Sequence, residues 1–288
     1  MKDVSIIIVN YNTSNLLKEC IESIKNNAIN ICYEIIVVDN NSSDNSIDLI
    51  KNKFESLKII INKINLGFAR ANNQGIKRSE GRYILLLNPD TVLLRDCLKK
   101  MVEFMDGHPE AGVAGCRVLN PNGTLQLACR RSFPAPSVSF YRLTGLSRLF
   151  PKSKTFARYN LTYYNPDVVQ EVDAVSGSFM MIRRKAMNEV GMLDEQFFMY
   201  GEELDLCFRM KEKGWKVYYV PDAEIIHYKG KSSQQRKRKA VIDFHKAMYI
   251  FHKKHYADHT FFLLNWIIIL GITLRAGLFL ALSLFKKS

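Results

Sequence analysis

The chain has 288 residues, 47% of them hydrophobic, which is enough for one large or two small globular domains with a full core. Its six cysteines are scattered with no C-x-x-C pair, which argues against a disulfide framework or a zinc ribbon and suits a reducing compartment. The formal charge of +13 admits nucleic acid, an anionic membrane surface or phosphorylated substrates as partners.

The amino-terminal run in "MKDVSIIIVNYN" is too short for a signal-peptide core, so the chain is expected to stay in the cytosol. "VSIIIVNYN" reads as a buried parallel strand ended by polar turn residues. "TSNLLKECIESIKNN" follows as a helix with Thr13 or Ser14 as its cap. "YEIIVVDNNSSD" is a second strand, with a second helix beginning at Ser43. "LKIIIN" is a third strand, "GFARANNQGIKRSEG" a third helix closing at Gly81, and "RYILLLNPD" a fourth strand. This alternation predicts a parallel α/β sheet with right-handed crossovers. Ligands bind such sheets at the carboxyl ends of strands, where "NYN", "DNNSSD", "INLG" and "NPD" all fall.

Beyond Cys97 comes a helix, then "AGVAGCRVLNPNGTLQ", which reads as two short strands around an Asn-Gly turn. From about Arg130 to Asp167 the chain is rich in Pro, Ser, Tyr and Arg with weak periodicity, as in a functional loop. "VDAVSGSFMMIRRKAMNEVG" returns to strand and helix, "EELDLCFRMKEKG" is a helix, and "WKVYYVPDAEIIHY" is strand-like. The basic "KGKSSQQRKRK" and "FHKKH" precede an apolar run from Phe261 to Phe285, interrupted by Asn265 and Arg275. A membrane surface is therefore favoured over nucleic acid, with the last segment lying in the interface, crossing the bilayer or packing on the body.

No G-x-G-x-x-G or Walker A loop is present, so phosphates would be held another way, and a metal with carboxylate ligands is the obvious alternative. Asp39, at a strand end, suits the N3–H of uracil or thymine, or caps the next helix. Asp90 is a candidate metal ligand, or a turn residue with no partner. His227 could complete a metal site with Asp90, and Lys231 and Ser232 could meet phosphate oxygens. Glu202, Glu203 and Asp205 fall in the first turn of a helix, where acids complement the helix dipole. Gly177 allows close backbone approach, or marks a bulge.

Seven stretches in order, from "VSIIIVNYN" and "VVDNNSSD" through "NLGFARANNQGI", "LLLNPDT" and "VSGSFMMIRR" to "GMLDEQFFMYGEELDLCFRMKEKGW" and "IHYKGKSS", resemble family 2 glycosyltransferases of the rhamnosyltransferase-like branch. The resemblance covers about residues 3 to 235. It implies a GT-A fold, a dTDP- or UDP-sugar donor, a Mg²⁺ or Mn²⁺ ion and inversion at the anomeric carbon. It implies residues 1–125 as the nucleotide-sugar half, 126–235 as the acceptor and catalytic half of the same domain, and 236–288 as a membrane-associating tail. Asn10, Asn12, Asp39, Asn65, Arg70, Asn73, Asn88, Gly177, Lys231 and Ser232 then belong to the donor side. Asp90 and His227 would hold the metal, with Asn88 standing where the family's D-x-D motif has its first acid. Glu203 takes the place of the general base, where the family usually has Asp, with Tyr200, Glu202 and Asp205 on the acceptor side. The implied acceptor is a lipid-linked saccharide at the cytoplasmic face of the membrane, and L-rhamnose the implied sugar. A nucleotidyltransferase and a non-catalytic membrane scaffold are the rival readings.

Overall fold

The computed structural model describes residues 2–228 and 237–285. Strand β1 (Val4–Asn10) is buried along its whole length, as its continuous apolar run demands. Helix α1 (Ser14–Asn27) leads to β2 (Tyr33–Asp39), α2 (Ser46–Lys53) to β3 (Leu57–Ile61), and α3 (Phe68–Lys77) to β4 (Tyr83–Leu87). A short β5 (Thr91–Leu93), α4 (Cys97–Gly107) and β6 (Ala111–Leu119) follow. The stretch that reads as irregular holds β7 (Arg130–Arg131), α5 (Pro136–Leu143) and α6 (Leu146–Leu149), and leads to β8 (Gln170–Glu171) and β9 (Ala174–Val175). Then come β10 (Phe179–Arg183), α7 (Arg184–Val190), α8 (Glu202–Glu212) and β11 (Lys216–His227). Two long helices, α9 (Lys237–His255) and α10 (Phe262–Phe285), form the tail.

Among the described residues nine strands make one sheet in the order β3-β2-β1-β4-β10-β6-β11-β5, with β8 beside β11. The first four are parallel. The chain winds outward from β1 to β3, then returns to β4 on the other side of β1. Right-handed crossovers therefore put α1 and α2 on one face and α3 on the other. The carboxyl end of β1 is the switch point, the place where an open α/β sheet forms a crevice. Strand β10 runs antiparallel between β4 and β6, so the sheet is mixed rather than wholly parallel.

Several local expectations shift. Helix α3 stops at Lys77, and α2 begins at Ser46 rather than Ser43. The Asn-Gly turn is present, but its second arm is a single bridge from Leu119 to Leu125. Thr13 precedes α1 without capping it; its hydroxyl donates to Asn10 Oδ1 at 2.7 Å.

In the tail, α10 turns both of its polar interruptions toward α9. His252 Nε2 lies 2.8 Å from Asn265 Oδ1. Arg275 reaches His245 at 3.5 Å and Met248 Sδ at 3.6 Å. The rest of α10 is mostly apolar, with a 21-residue stretch of mean hydropathy 1.9 in which no residue is fully buried by the described residues.

Gly67 joins the start of α3 to the segment before α8. Its φ is 87°, and an added Cβ would lie 2.5 Å from the Phe198 carbonyl oxygen, which accepts from Phe68 N at 2.6 Å. Gly67→Ala is expected to cost at least about 2 kcal/mol, lowering Tm by about 4–8 °C. Calorimetry checks this, and an unchanged Tm would contradict the close approach.

Candidate active site

The first strand ends form one polar network. Asn10 and Asp39 are register partners on β1 and β2. Asn10 Nδ2 donates to Asp39 Oδ1 and to Ser42 Oγ, both at 2.9 Å. Ser42 N donates to Asp39 Oδ2 at 3.0 Å, and Ser43 N to Asn12 Oδ1 at 2.7 Å. Each Asp39 oxygen thus accepts one bond and keeps a second lone pair. Asn40, which sequence reasoning did not single out, shapes the next loop: its Nδ2 donates to Asn65 Oδ1 at 3.0 Å, and its Oδ1 accepts from Leu66 N at 3.0 Å. Asn65 Oδ1 also accepts from Gly67 N at 3.0 Å.

Two expected donor residues are used differently. Asn73 Nδ2 donates to Leu193 O at 2.9 Å and to Glu195 Oε1 at 3.1 Å, while its Oδ1 accepts from Leu193 N at 3.1 Å. Arg70 Nε pairs with Glu195 at 2.8 Å. Asn73 is therefore a clamp on the 193–195 turn, and Arg70 braces the same turn.

The strand pairing His227↔Thr91 brings the ends of β11 and β5 together. It puts His227 Nε2 3.3 Å from Asp90 Oδ1. Gln126 fixes the ring: its Nε2 donates to His227 O at 2.8 Å, which leaves Oε1 to accept from Nδ1 at 3.0 Å. The proton of a neutral imidazole then sits on Nδ1, and Nε2 presents its lone pair. Asp90 Oδ1 is buried with no hydrogen-bond partner. With such a neutral ring, two lone pairs face each other with no proton between them, an arrangement that fits a cation. Asn88 Nδ2 stands 3.5 Å from Nε2 and adds no charge. Among the described residues no cluster of three His, Cys, Asp or Glu side chains could hold a metal, so such a site would take its remaining ligands from elsewhere. Lys231 and Ser232 lie outside the described residues.

Helix α8 also approaches this region, through Glu203 and Gly177. Asn88 N donates to Ser178 O at 3.1 Å, tying the end of β4 to the start of β10. The neighbouring Gly177 faces Glu203, and a Cβ there would lie 3.6 Å from that residue's Cβ. Arg131 Nη2 donates to Glu203 Oε1 at 2.7 Å, and Gly201 N to Oε2 at 3.1 Å. The side chain is folded back over its own helix start, which absorbs the extra methylene of Glu over Asp. Arg131 and Gln126 escaped the sequence reading. Their only signal is an adjacent Arg pair, and a Gln, in a stretch without acids.

The neighbouring acids have separate fates. Glu202 is buried, and its Oε2 has no hydrogen-bond partner. Burial first, and the charge of Glu203 second, hold its carboxyl well above the ordinary carboxylate range. Asp205, expected on the acceptor side, is fully buried. It meets His255 at 2.8 Å, Arg209 at 2.8 Å and Lys254 at 2.7 Å. Burial would raise its pKa, but these partners outweigh burial and hold it at about 2. Tyr200, at a φ of 71°, sets its ring edge-on to Phe244 of α9, 5.8 Å between centroids.

Residues 5–191 match the family model described as "Glycosyl transferase family 2". The N-acetylglucosaminyl-diphospho-decaprenol L-rhamnosyltransferase of Mycobacterium tuberculosis is 25% identical over 88% of this chain and 85% of its own. Rhamnosyltransferase WbbL of Escherichia coli is 30% identical over 78% of this chain and 83% of its own. The solved mannosyltransferase PcManGT of Pyrobaculum calidifontis, in complex with GDP-Man and Mn²⁺, superposes with a TM-score of 0.62 at 15% identity, covering 100% of this chain and 78% of its own. The chain belongs to glycosyl transferase family 2, has the GT-A fold and is a glycosyltransferase.

Removing the Asp205 carboxylate would leave Arg209, Lys254 and His255 around a vacated buried position. Asp205→Ala is expected to cost about 3–5 kcal/mol in urea unfolding at neutral pH. The acid's folded pKa of about 2 lies below its ordinary 3.8. Its stabilising contribution is therefore complete above about pH 4 and lost as pH falls toward 2. The variant should show a flatter loss of stability across that window; an identical slope would exclude the role.

Proposed function

We propose that this member of glycosyl transferase family 2 moves L-rhamnose from dTDP-rhamnose onto a lipid-linked saccharide, with inversion, at the cytoplasmic face of a bacterial membrane during surface polysaccharide synthesis. The observation that carries the reading is the tie between Asn88 and Ser178. It brings the neighbourhood of Asp90, two residues after Asn88, close to that of Glu203, which faces Gly177, and a displacement with an attacking hydroxyl and a leaving diphosphate needs both carboxylates near one strand end. The sugar is argued from the names of the two bacterial relatives, and the acceptor class from the diphospho-decaprenol in one of them. The family assignment disfavours the nucleotidyltransferase and scaffold readings.

The residues divide the work. Asp39, with its free lone pairs, suits the N3–H of thymine or uracil, and Asn10, Asn12 and Asn65 shape the same pocket edge. Asp90 Oδ1 and His227 Nε2 would hold a Mg²⁺ or Mn²⁺ ion, which when bound neutralises charge on the leaving diphosphate. Lys231 and Ser232 would meet the diphosphate oxygens. Glu203 takes the proton of the acceptor hydroxyl as its oxygen bonds to the anomeric carbon on the face away from the nucleotide. Arg131 and the Gly201 N–H keep the carboxylate aimed, and each of its oxygens retains a lone pair for the proton. The hydroxyl gives up its proton only as the new bond forms. Gly177 keeps the approach to Glu203 open. The tail supports membrane attachment: with Asn265 and Arg275 turned to α9, the exposed faces of α10 suit an in-plane position in the interface.

Glu203→Gln should lower transfer about 10²–10⁴-fold while dTDP binding, read by calorimetry, is unchanged. Near-normal turnover would overturn the assignment. Asp90→Ala should abolish the gain in dTDP affinity produced by Mn²⁺. A gain of wild-type size would remove Asp90 from the metal site.

A further inference from the structure

The tail is not the protein's lone uncovered apolar surface. Between β7 and β8 the chain projects the α5–α6 hairpin, turned at Gly145 with a φ of 81°. Its tip exposes large apolar side chains: Phe140 at 57%, Leu143 at 58%, Leu149 at 70% and Phe150 at 46%. In water this exposure is unfavourable, and nothing among the described residues covers it. The hairpin is nonetheless firmly built. Phe156 packs edge-on to Tyr141 at 5.0 Å and beside Phe150 at 5.4 Å, and the Arg142 guanidinium stacks on Tyr159 at 4.0 Å.

Charge identifies the occupant. The chain has no Asp or Glu from residue 111 to residue 166. Within that span Arg142, Arg148, Lys152, Lys154 and Arg158 are all exposed around the hairpin. With no acid near them in sequence, none forms an ion pair within the described residues. Apolar tips ringed by unpaired cations match a surface with an oily interior and anionic headgroups.

The hairpin also shares a side of the protein with the tail. Arg142 and Arg275 of α10 lie near enough for their charges to oppose each other. Phe133, just before α5, packs on Phe208 of α8 at 4.9 Å and on Phe251 of α9 at 6.4 Å.

We propose that the α5–α6 hairpin is a second membrane-contact element, seating Phe140, Leu143, Leu149 and Phe150 in an anionic leaflet beside α10. Arg131, which grips Glu203, lies five residues before the hairpin in sequence, so two-point seating fixes how the catalytic turn faces the bilayer. The inference rests on the membrane attachment under Proposed function and adds where, and with which lipid charge, the body touches.

The test uses the full chain and phosphatidylcholine vesicles with or without phosphatidylglycerol. The variants are Leu143→Ser/Leu149→Ser and Arg148→Glu/Lys152→Glu, each checked for an unchanged Tm. The first pair should weaken binding to phosphatidylglycerol vesicles at least about tenfold. The second should erase the preference for phosphatidylglycerol. Transfer to a water-soluble acceptor should be unchanged in both. Wild-type binding by both variants overturns the hairpin while leaving the tail's attachment intact. No vesicle binding by the wild-type chain overturns both. A wild-type dimer made monomeric by Leu143→Ser/Leu149→Ser, with vesicle binding intact, would make the face a protein interface and overturn the inference.

Discussion

A carboxylate with no access to water must be surrounded by cations, and at Asp205 that requirement organises the carboxyl-terminal half. Arg209 comes from the same helix, one turn on, and also binds carbonyl oxygens of Val190 and Met192 at 2.9 and 2.8 Å. Lys254 and His255 come from the end of α9. An uncompensated charge at such a depth costs several kcal/mol, a large part of the ~5–15 kcal/mol that holds an ordinary domain folded. The cluster therefore holds α9 on α8, and through α9 it carries α10. Glu203 stands two residues before Asp205 and points in a different direction. One helical turn thus anchors the tail with one acid and presents another to the strand ends.

That turn also illustrates how environment, rather than residue type, sets chemical state. Glu202 is buried with its Oε2 unpartnered, and burial pushes its carboxyl well up. Glu203 shares its two oxygens between a guanidinium and a backbone amide. Asp205 is the most deeply charged of the three. Dipole compensation at a helix start would treat all three alike. The difference comes from what faces each one: β7 for Glu203 and α9 for Asp205. Gln126 acts in a parallel way on His227, choosing the nitrogen that carries the proton and leaving the other aimed at Asp90.

The parts legible in sequence are those written in local pattern. Strands β1 to β4 are continuous apolar runs, and their polar carboxyl ends are visible as interruptions. The first turn of α8 follows from Gly201 and the spacing of Leu204, Cys207 and Phe208. Asp90 and His227 could be suspected of meeting because both end strands. Partners chosen by tertiary structure leave no such mark. Arg131 sits in a segment with no periodicity, and nothing local joins it to Glu203. Asn73 is polar and near a ligand edge in sequence, yet its amide is consumed by the 193–195 turn. Asp205 resembled its neighbours until the position of α9 was known. The α5–α6 hairpin was hidden because a helix of eight residues and one of four are too short to establish a 3.6-residue repeat.

Strand β10 has a consequence for how the protein is made. It is the neighbour of β4 on the side away from β1, yet it is synthesised long after β4. At ~5–20 residues per second, the edge of "YILLL" emerges from the ribosome about 5–20 s before "FMMIR" can cover it. Until then an apolar strand with unpaired amides is open to any other extended chain. Strand β6 waits as well, because it joins the sheet through β10. The amino-terminal half is thus half a sheet during synthesis, and holdase chaperones have their natural target at its β4 edge.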